Sequence, residues 1–231
     1  MIARGLRINS PSALNTFQQW TALADLLRRL DINVFLDVGA NKGFFSTHVR
    51  EIGYGGHLFS FEPIASDCDH IRRLAAGDPK WTVLQYGLGA ETKKSEFNVS
   101  SFAQQTVLSS LLPRAGGNPP DVRSIQVDLH RLDEVLPALI SDISAPRVFL
   151  KMDTQGFDGQ VIDGAAGILD KILGLQSEVS VVPQYEGAPP YTKALAKYHE
   201  LGFELLDLFV VNRTDSGGVL EYDCVMLRKQ S

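Results

Sequence analysis

The chain has 231 residues and a formal net charge of −5, and 44% of its residues are hydrophobic. That length and apolar content predict a single domain with one sizeable core. No run of basic residues offsets the negative charge, which argues against binding to nucleic acid or to an anionic membrane. The composition therefore favours a neutral or small substrate, and it carries no signal of oligomeric state.

Cys68 and Cys224, the only cysteines, lie 156 positions apart, a spacing that indicates neither a disulfide framework nor a zinc site. The first ten residues carry positive charge, but no apolar core of signal-peptide length follows them. A run of about 18 apolar residues, enough to span a membrane, occurs nowhere. We therefore expect reduced thiols and a cytoplasmic protein.

The pattern from Ser12 to Leu30 predicts an amphipathic helix, because apolar residues recur at three- and four-residue intervals. Its apolar positions are Leu14, Phe17, Trp20, Leu23, Leu26, Leu27 and Leu30. A stripe at this spacing is usually a core contact. Residues 1–31 are thus expected to form an accessory segment whose helix covers the sheet.

The stretch V-F-L-D-V-G-A-N-K-G-F-F-S, residues 34–46, predicts a strand, a glycine loop and the start of a helix. Such a junction lets a ligand approach the backbone and presents unpaired N–H groups to it. The glycines are four positions apart, so the G-x-G-x-x-G spacing of dinucleotide enzymes is absent. D-x-G-x-x-x-G instead resembles the first motif of class I S-adenosylmethionine-dependent methyltransferases. The predicted cofactor residues here are Asp37, Gly39, Asn41, Gly43 and Phe44.

A second set of cofactor residues follows the next two predicted strands. The strand His57–Phe61 ends at Glu62 and Pro63, and Glu62 lies 19 residues beyond Gly43. A nucleotide-binding βαβ unit places an acid on the ribose hydroxyls at about this offset, roughly 20 residues. The strand Trp81–Gln85 is followed by Gly87 and Leu88, a small and an apolar residue that suit the edge of a purine.

The alternation of helix and strand lapses between residues 91 and 128. Ser95–Ser100 and Ser124–Asp128 are predicted as two short strands, joined by a long segment that contains the run Gly116-Gly117-Asn118-Pro119-Pro120. Long loops in compact domains often cover binding sites. We therefore predict inserted strands with a lid loop over residues 100–120.

The C-terminal part predicts further parallel strands and a closing hairpin. The strand Arg147–Met152 leads into Asp153, and the helix Asp158–Leu169 separates it from the strand Ile172–Val182, which carries Glu178. Parallel strands present functional groups at their carboxyl ends, so Asp153 is expected in the same crevice as Gly39 and Glu62. A helix Tyr191–Leu201 and an antiparallel hairpin, Phe203–Val211 with Val219–Leu227, complete the chain.

Taken together, these segments resemble the FkbM-type family of class I methyltransferases. The segments are L-D-V-G-A-N-K-G-F-F-S, F-E-P at 61–63, S-S-L at 109–111, L-K-M-D-T-Q-G-F-D at 150–158, Y-E-G at 185–187 and L-G-F-E-L at 201–205. The resemblance implies a Rossmann-like α/β fold: a mostly parallel seven-stranded sheet with a C-terminal antiparallel hairpin and helices on both faces. Where the family commonly has an acid, this chain has Gln155.

The resemblance also implies a function. Family members transfer a methyl group from S-adenosyl-L-methionine to a hydroxyl, often on a sugar or a polyketide-type small molecule. Asp153 is predicted to serve both the cofactor and the chemistry, with Glu178 as a second catalytic residue. Gln155 and Tyr185 are predicted to contact the substrate, and His130 is a further candidate base.

Three alternatives stay open at this point. In the first, Asp153 and Glu178 together hold a divalent cation that binds the substrate oxygens, as in some sugar O-methyltransferases, although no clear ligand triplet is visible. A nicotinamide oxidoreductase is disfavoured by the glycine spacing. A non-catalytic nucleotide-binding module is disfavoured by the intact D-x-Q-G-F-D segment.

Overall fold

The structure is a computed structural model that describes residues 11–100, 110–115 and 122–229. The helices are α1 (Pro11–Arg29), α2 (Phe44–Glu51), α3 (Ala65–Leu74), α4 (Leu132–Leu139), α5 (Asp158–Asp163) and α6 (Tyr191–Glu200). The strands are β1 (Val34–Val38), β2 (His57–Phe61), β3 (Trp81–Leu84), β4 (Gly87–Leu88), β5 (Lys93–Ser100), β6 (Val122–His130), β7 (Val148–Met152), β8 (Ile172–Ser180), β9 (Phe203–Arg213) and β10 (Val219–Arg228).

Seven of these strands form one sheet in the order β3-β2-β1-β7-β8-β10-β9. The first five are parallel to one another, whereas β10 pairs antiparallel with both β8 and β9. The mostly parallel seven-stranded sheet with an antiparallel C-terminal hairpin is therefore confirmed. Because β1 lies between β2 and β7, the chain reverses direction across the sheet there, and such a switch point opens a crevice at the carboxyl ends of the strands.

Helices cover both faces of the sheet because the central strands are apolar on both sides. In β1, Phe35 packs with residues of α1, α2 and α3, including Leu26, Val49 and Ile71. Its neighbour Leu36 belongs to the opposite core, which α4, α5 and α6 complete. Helix α1 thus contributes Leu23, Leu26 and Leu27 to the core on the first face, whereas Leu14 and Phe17 of the predicted apolar stripe are exposed.

A second sheet of three strands, in the order β4-β6-β5, lies beside the main one. It is built from the region in which the helix–strand alternation lapses, and Gly87 and Leu88 form a short strand parallel to the end of β6. The two inserted strands are longer than predicted. Most of the predicted lid, residues 101–109 and 116–121, lies outside the described residues.

The predicted helix Asp158–Leu169 is wrong in one respect, since α5 ends at Asp163 and a separate 3-10 helix spans Ala166–Lys171. The cause is Gly164, where a Cβ atom would stand only 2.0 Å from the backbone oxygen of Gly89. The helix ends so that the chain can pass this close contact. Among the helices of the described ranges, none is long and apolar enough to cross a membrane.

Candidate cofactor and active site

The glycine loop after β1 has three residues in the left-handed region, Gly39 (φ 74°), Asn41 (φ 50°) and Gly43 (φ 75°). A Cβ atom on Gly39 would lie 2.1 Å from the backbone oxygen of Asp153. Gly39 is therefore required by the packing of the loop against the end of β7, before any ligand is considered. This close approach brings the loop and Asp153 together.

An enclosed pocket of about 130 Å³ opens beside this loop at the carboxyl ends of β1, β2 and β7. Eight of the predicted site residues line it: Gly39, Asn41, Glu62, Pro63, Gly87, Leu88, Asp153 and Gln155. Its apolar lining includes Leu88 together with Ile64, Phe97 and Leu111, which pack in one hydrophobic cluster. The structure thus gathers residues from six separate segments around one pocket that has both polar and apolar lining residues.

Glu62 is the buried acid of this pocket, with 4% of its surface exposed. One carboxyl oxygen accepts a hydrogen bond from the backbone N–H of Asn41 at 2.8 Å, and the other accepts from Ile64 N–H at 2.9 Å. Burial raises the pKa of Glu62 to about 7, although these two hydrogen bonds oppose the shift. The carboxyl retains lone pairs for two hydroxyl donors, and it also fixes the glycine loop.

Asp37, Gly43 and Phe44 do not line the enclosed pocket. Gly43 packs against Ile71 of α3, and Phe44 is 67% exposed at the start of α2. The carboxyl of Asp37 is completely buried, where it accepts hydrogen bonds from Ser46 Oγ at 2.6 Å and from Lys151 Nζ at 2.9 Å. Asp37 therefore stabilises the glycine loop from within the core.

Lys151 is a residue that the sequence analysis missed. Its Nζ atom is buried and lies 2.9 Å from Asp37, 3.4 Å from the backbone oxygen of Gly39 and 3.8 Å from the carboxyl of Asp153. Burial alone would lower its pKa, but the carboxylates of Asp37 and Asp153 outweigh burial and raise it. Lys151 is thus a permanent buried cation that links the glycine loop to Asp153.

Four predicted residues form one hydrogen-bonded cluster at the ends of β7 and β8. The Gln155 side-chain amide donates to Asp153 Oδ1 at 3.2 Å and to Glu178 Oε2 at 3.1 Å. Tyr185 donates its hydroxyl proton to Gln155 Oε1 at 2.7 Å. Tyr185 is buried and does not line the enclosed pocket. Tyr185 is therefore connected to the pocket through its hydrogen bond to Gln155. Gln155 in turn orients the half-exposed carboxyl of Asp153.

The cluster is crowded with carboxyl groups. Glu178 and Asp223 face each other across β8 and β10. Burial, together with the negative charges of Asp153, Glu221 and Asp223, raises the pKa of Glu178 to about 10. Burial likewise raises the pKa of Asp223 to about 6. The raised pKa favours the protonated form of Glu178, which accepts a hydrogen bond from the Gln155 amide.

Asp158, the second acid of the D-x-Q-G-F-D segment, shapes the turn that presents Asp153 and Gln155. Its carboxyl accepts hydrogen bonds from Thr154 N–H at 2.9 Å, from the Thr154 hydroxyl and from Ser177 Oγ at 2.6 Å. This arrangement stabilises the left-handed conformation of Gln155 (φ 56°) and Gly156 (φ 88°). Asp158 is buried, and its role is structural.

The geometry bears on two of the predicted alternatives, a metal ion held by Asp153 and Glu178 and a base at His130. In the part of the chain that the structure describes, no group of three or more His, Cys, Asp or Glu residues is arranged to hold a metal ion. The Gln155 amide nitrogen, a donor, lies between Asp153 and Glu178. His130 ends β6 with its ring 4.5 Å from that of Tyr86, and it does not line the pocket.

The topology and the crevice together define the class I methyltransferase fold. The chain is similar in structure to magnesium protoporphyrin IX methyltransferase from Synechocystis PCC 6803 with bound SAM (8% identity, TM-score 0.50, 98% of this chain and 86% of that one). It is also similar to an uncharacterised protein from Listeria monocytogenes serotype 4b (9% identity, TM-score 0.50, 93% of this chain and 68% of that one). A third similar structure is an rRNA methylase from Streptococcus thermophilus (10% identity, TM-score 0.49, 100% of this chain and 99% of that one). No curated protein sequence matches the chain.

A sequence profile described as the methyltransferase FkbM domain matches residues 37–205. That range runs from the end of β1 into β9, most of the chain, and it contains the glycine loop, Glu62 and the Asp153 cluster. The chain belongs to the FkbM methyltransferase family, as predicted. Its methyltransferase class and its cofactor, S-adenosyl-L-methionine, follow from that membership.

Proposed function

We propose that this protein transfers the methyl group of S-adenosyl-L-methionine to a hydroxyl of a small molecule, a sugar or a polyketide-type compound. The observation that carries the proposal is the position of Asp153. Its half-exposed carboxyl lines the enclosed pocket and is held by Gln155 and Lys151. A hydroxyl acceptor must lose a proton on methylation, and Asp153 is the carboxyl placed to receive it.

The enclosed pocket fits the nucleoside part of the cofactor. Glu62 would accept hydrogen bonds from the ribose hydroxyls, because it lines the pocket and its carboxyl oxygens retain lone pairs beyond those that Asn41 N–H and Ile64 N–H use. The apolar lining formed by Ile64, Leu88 and Phe97 would hold the flat adenine ring. Gly39 and Asn41 lie where the pocket meets Asp153, so the methyl-bearing end of the cofactor belongs beside that carboxyl.

The residues of the cluster then have distinct roles. The bound cofactor supplies an electrophilic methyl group on a positively charged sulfur. Asp153 orients the acceptor hydroxyl and takes its proton onto a carboxyl oxygen as the new bond to oxygen forms. Gln155 fixes the rotamer of Asp153, and Tyr185 fixes Gln155. Correct alignment of this kind contributes as much as about 7–11 kcal/mol to lowering a barrier in the best cases.

Glu178 takes a supporting role in this proposal, which differs from the catalytic role predicted from its position in β8. A neutral carboxyl next to Gln155 lets Asp153 keep its negative charge without a second charge beside it. The metal-assisted alternative needs an ionised pair pointing at a common ligand position. The interposed Gln155 amide disfavours that arrangement.

Two measurements test the proposal. Calorimetry should detect binding of S-adenosylhomocysteine and no binding of NAD or NADP. Mass spectrometry of reactions with a panel of hydroxylated sugars and phenolic polyketide analogues should then detect a product heavier by one methylene unit. Tight NAD binding would contradict the cofactor assignment, and methylation of a short RNA in preference to the panel would contradict the acceptor class.

A further inference from the structure

A second, open cleft of about 760 Å³ lies between α1 and the glycine loop. It shares Gly39, Asn41 and Asp153 with the enclosed pocket, so the two spaces meet at the reacting centre. Pockets for ligands of drug size usually measure about 300–1,000 Å³. The enclosed pocket of about 130 Å³ is thus below the size of a complete ligand pocket, whereas the open cleft lies within that range.

The walls of this cleft are aromatic. Trp20 of α1 lies with its ring 4.8 Å from that of Phe45 and stacked 5.1 Å from the ring of His48. Phe44 is 67% exposed and lines the same cleft. An aromatic side chain this exposed, at the opening of a cleft that leads to a candidate catalytic carboxyl, is typical of a binding surface.

We propose that this aromatic cleft is the acceptor subsite, and that it takes a rigid ring with a flat apolar face and a hydroxyl at its edge. The inference rests on the proposed methyl transfer and adds the location and shape of the acceptor. A ring that stacks on Trp20 or Phe44 would direct its edge toward Asp153 at the inner end of the cleft. Both the CH face of a pyranose and an aromatic polyketide ring meet this description.

The charges around the cleft favour a neutral ring over a phosphorylated one. Lys151 reaches the cleft, but its ammonium group is already paired with Asp37 at 2.9 Å. Lys42 and His48 lie on the wall, and Asp153 places a carboxyl at the inner end. A lysine and a histidine near one acid do not form the cluster of Arg and Lys groups that phosphate recognition uses.

The position of Trp20 also gives α1 a function. Helix α1 is held to the sheet by hydrogen bonds from Gln19 to Asp223 Oδ2 at 2.6 Å and from Asn15 to the backbone oxygen of Val210 at 2.9 Å. These contacts keep Trp20 against Phe45 on α2. The accessory helix therefore completes one wall of the subsite.

A competing location is the cavity of about 310 Å³ between β8, α5 and α6, which Glu178 and Lys193 line. None of its described lining residues belongs to the enclosed cofactor pocket. Asp153 does not line it either. An acceptor bound there would not reach the carboxyl that takes its proton, so the aromatic cleft is the better site.

The experiment is a calorimetric titration of protein saturated with S-adenosylhomocysteine. The probes are methyl and p-nitrophenyl glycosides in one arm, dihydroxynaphthalenes in a second and a short RNA in a third. We expect one of the two ring arms to bind the wild type. Trp20→Ala and Phe44→Ala should each weaken that binding about tenfold, with S-adenosylhomocysteine affinity unchanged.

Matched controls locate the effect. Phe17→Ala removes another exposed aromatic side chain of α1 that does not line the cleft, and Lys193→Ala alters the competing cavity. Both should bind the ring probe as the wild type does. If circular dichroism shows that Trp20→Ala loses helix α1, the binding measured with Phe44→Ala tests the inference alone. The Phe44 side chain is too exposed for its removal to affect folding.

Three results would overturn the inference. The first is that neither ring arm binds the loaded protein, or that the RNA binds in preference to both. The second is equal binding to Phe44→Ala and the wild type. The third is loss of binding in Lys193→Ala. Failure of S-adenosylhomocysteine itself to bind would instead count against the proposed function, so the two failures are distinguishable.

Discussion

Two carboxyl groups on opposite sides of the switch point, Glu62 and Glu178, differ in what surrounds them. Glu62 is the more buried by surface exposure, yet its pKa rises only to about 7, because two backbone N–H groups stabilise the charged form against burial. Glu178 is partly exposed, and its pKa rises to about 10 because burial acts together with the charges of Asp153, Glu221 and Asp223. Burial is the largest cause of the raised pKa in both carboxyls, and their neighbours account for the difference between the two pKa values.

This difference separates the crevice into two regions. On the cofactor side, an acid that ionises near neutrality faces a pocket and can accept hydrogen bonds from hydroxyls. On the proposed reaction side, the raised pKa of Glu178 favours its neutral form, and Gln155 and Lys151 hold the carboxyl of its neighbour Asp153. The predictions below test this division, in order of decreasing effect on function.

Asp153→Asn should have the largest effect. The change keeps the shape of the side chain and removes its charge and basicity, so turnover should fall about a hundredfold or more. S-adenosylhomocysteine affinity, measured by calorimetry, should change by less than about threefold. An equal loss of turnover and of S-adenosylhomocysteine affinity would instead assign Asp153 to cofactor binding.

Glu62→Gln should weaken cofactor binding by about ten- to a hundredfold, because charge-assisted hydrogen bonds contribute about 1.5–3 kcal/mol. A glutamine offers one oxygen, whereas Asn41 N–H and Ile64 N–H both need an acceptor. Turnover at saturating cofactor should fall much less than in Asp153→Asn. Wild-type affinity in this variant would leave Glu62 with a structural role only.

Cofactor affinity should also depend on pH. Ribose hydroxyls favour the ionised form of Glu62, whose pKa is about 7 before binding. Affinity should therefore be full near pH 8.5 and fall about tenfold by pH 5.5, as the carboxyl takes up its proton. Calorimetry at several pH values measures this, and Glu62→Gln is the matched control that should show no such dependence.

Glu178→Gln should affect turnover least, with a decrease of less than about threefold, and should alter stability instead. The pKa of Glu178 is about 10 in the folded state against an ordinary 4.5. Between pH 5 and 8 the unfolded chain has released this proton and the folded chain retains it, so the wild type loses stability as pH rises. The variant has no proton to lose.

Chemical denaturation should show similar stability for wild type and Glu178→Gln at pH 5. At pH 8 the variant should be more stable by about 1–3 kcal/mol, less than the full linkage value of about 1.4 kcal/mol per pH unit because the group is partly exposed. A turnover loss as large as that of Asp153→Asn would contradict the neutral, supporting role.

The cofactor side was the more predictable of the two regions. Gly39, Asn41, Glu62, Gly87 and Leu88 line one pocket because each follows a strand in a short, recognisable pattern. Asp37 follows the same pattern, but its side chain points into the core, where Ser46 and Lys151 bind it. A pattern in sequence indicates that a residue is near the crevice and does not indicate which way its side chain points.

The reaction side depends on contacts that no local pattern contains. Gln155 joins Glu178 and Tyr185, which are 23 and 30 positions away. Lys151 and Asp37 are 114 positions apart and pair because they are register partners in β7 and β1. A signal was present, since V-F-L-D-V and V-F-L-K-M carry opposite charges at the same position of two buried strands.

The sequence by itself determined the order of the elements, the family, the glycine loop and the residues at the strand ends, because hydrophobic periodicity and residue spacing are local properties. Only the tertiary structure decided that the pKa of Glu178 is raised, that Lys151 is a buried cation and that Trp20 lines the cleft that ends at Asp153. Each of these depends on the burial and charge of groups brought from distant parts of the chain, and those quantities exist only once the sheet and its helices have packed.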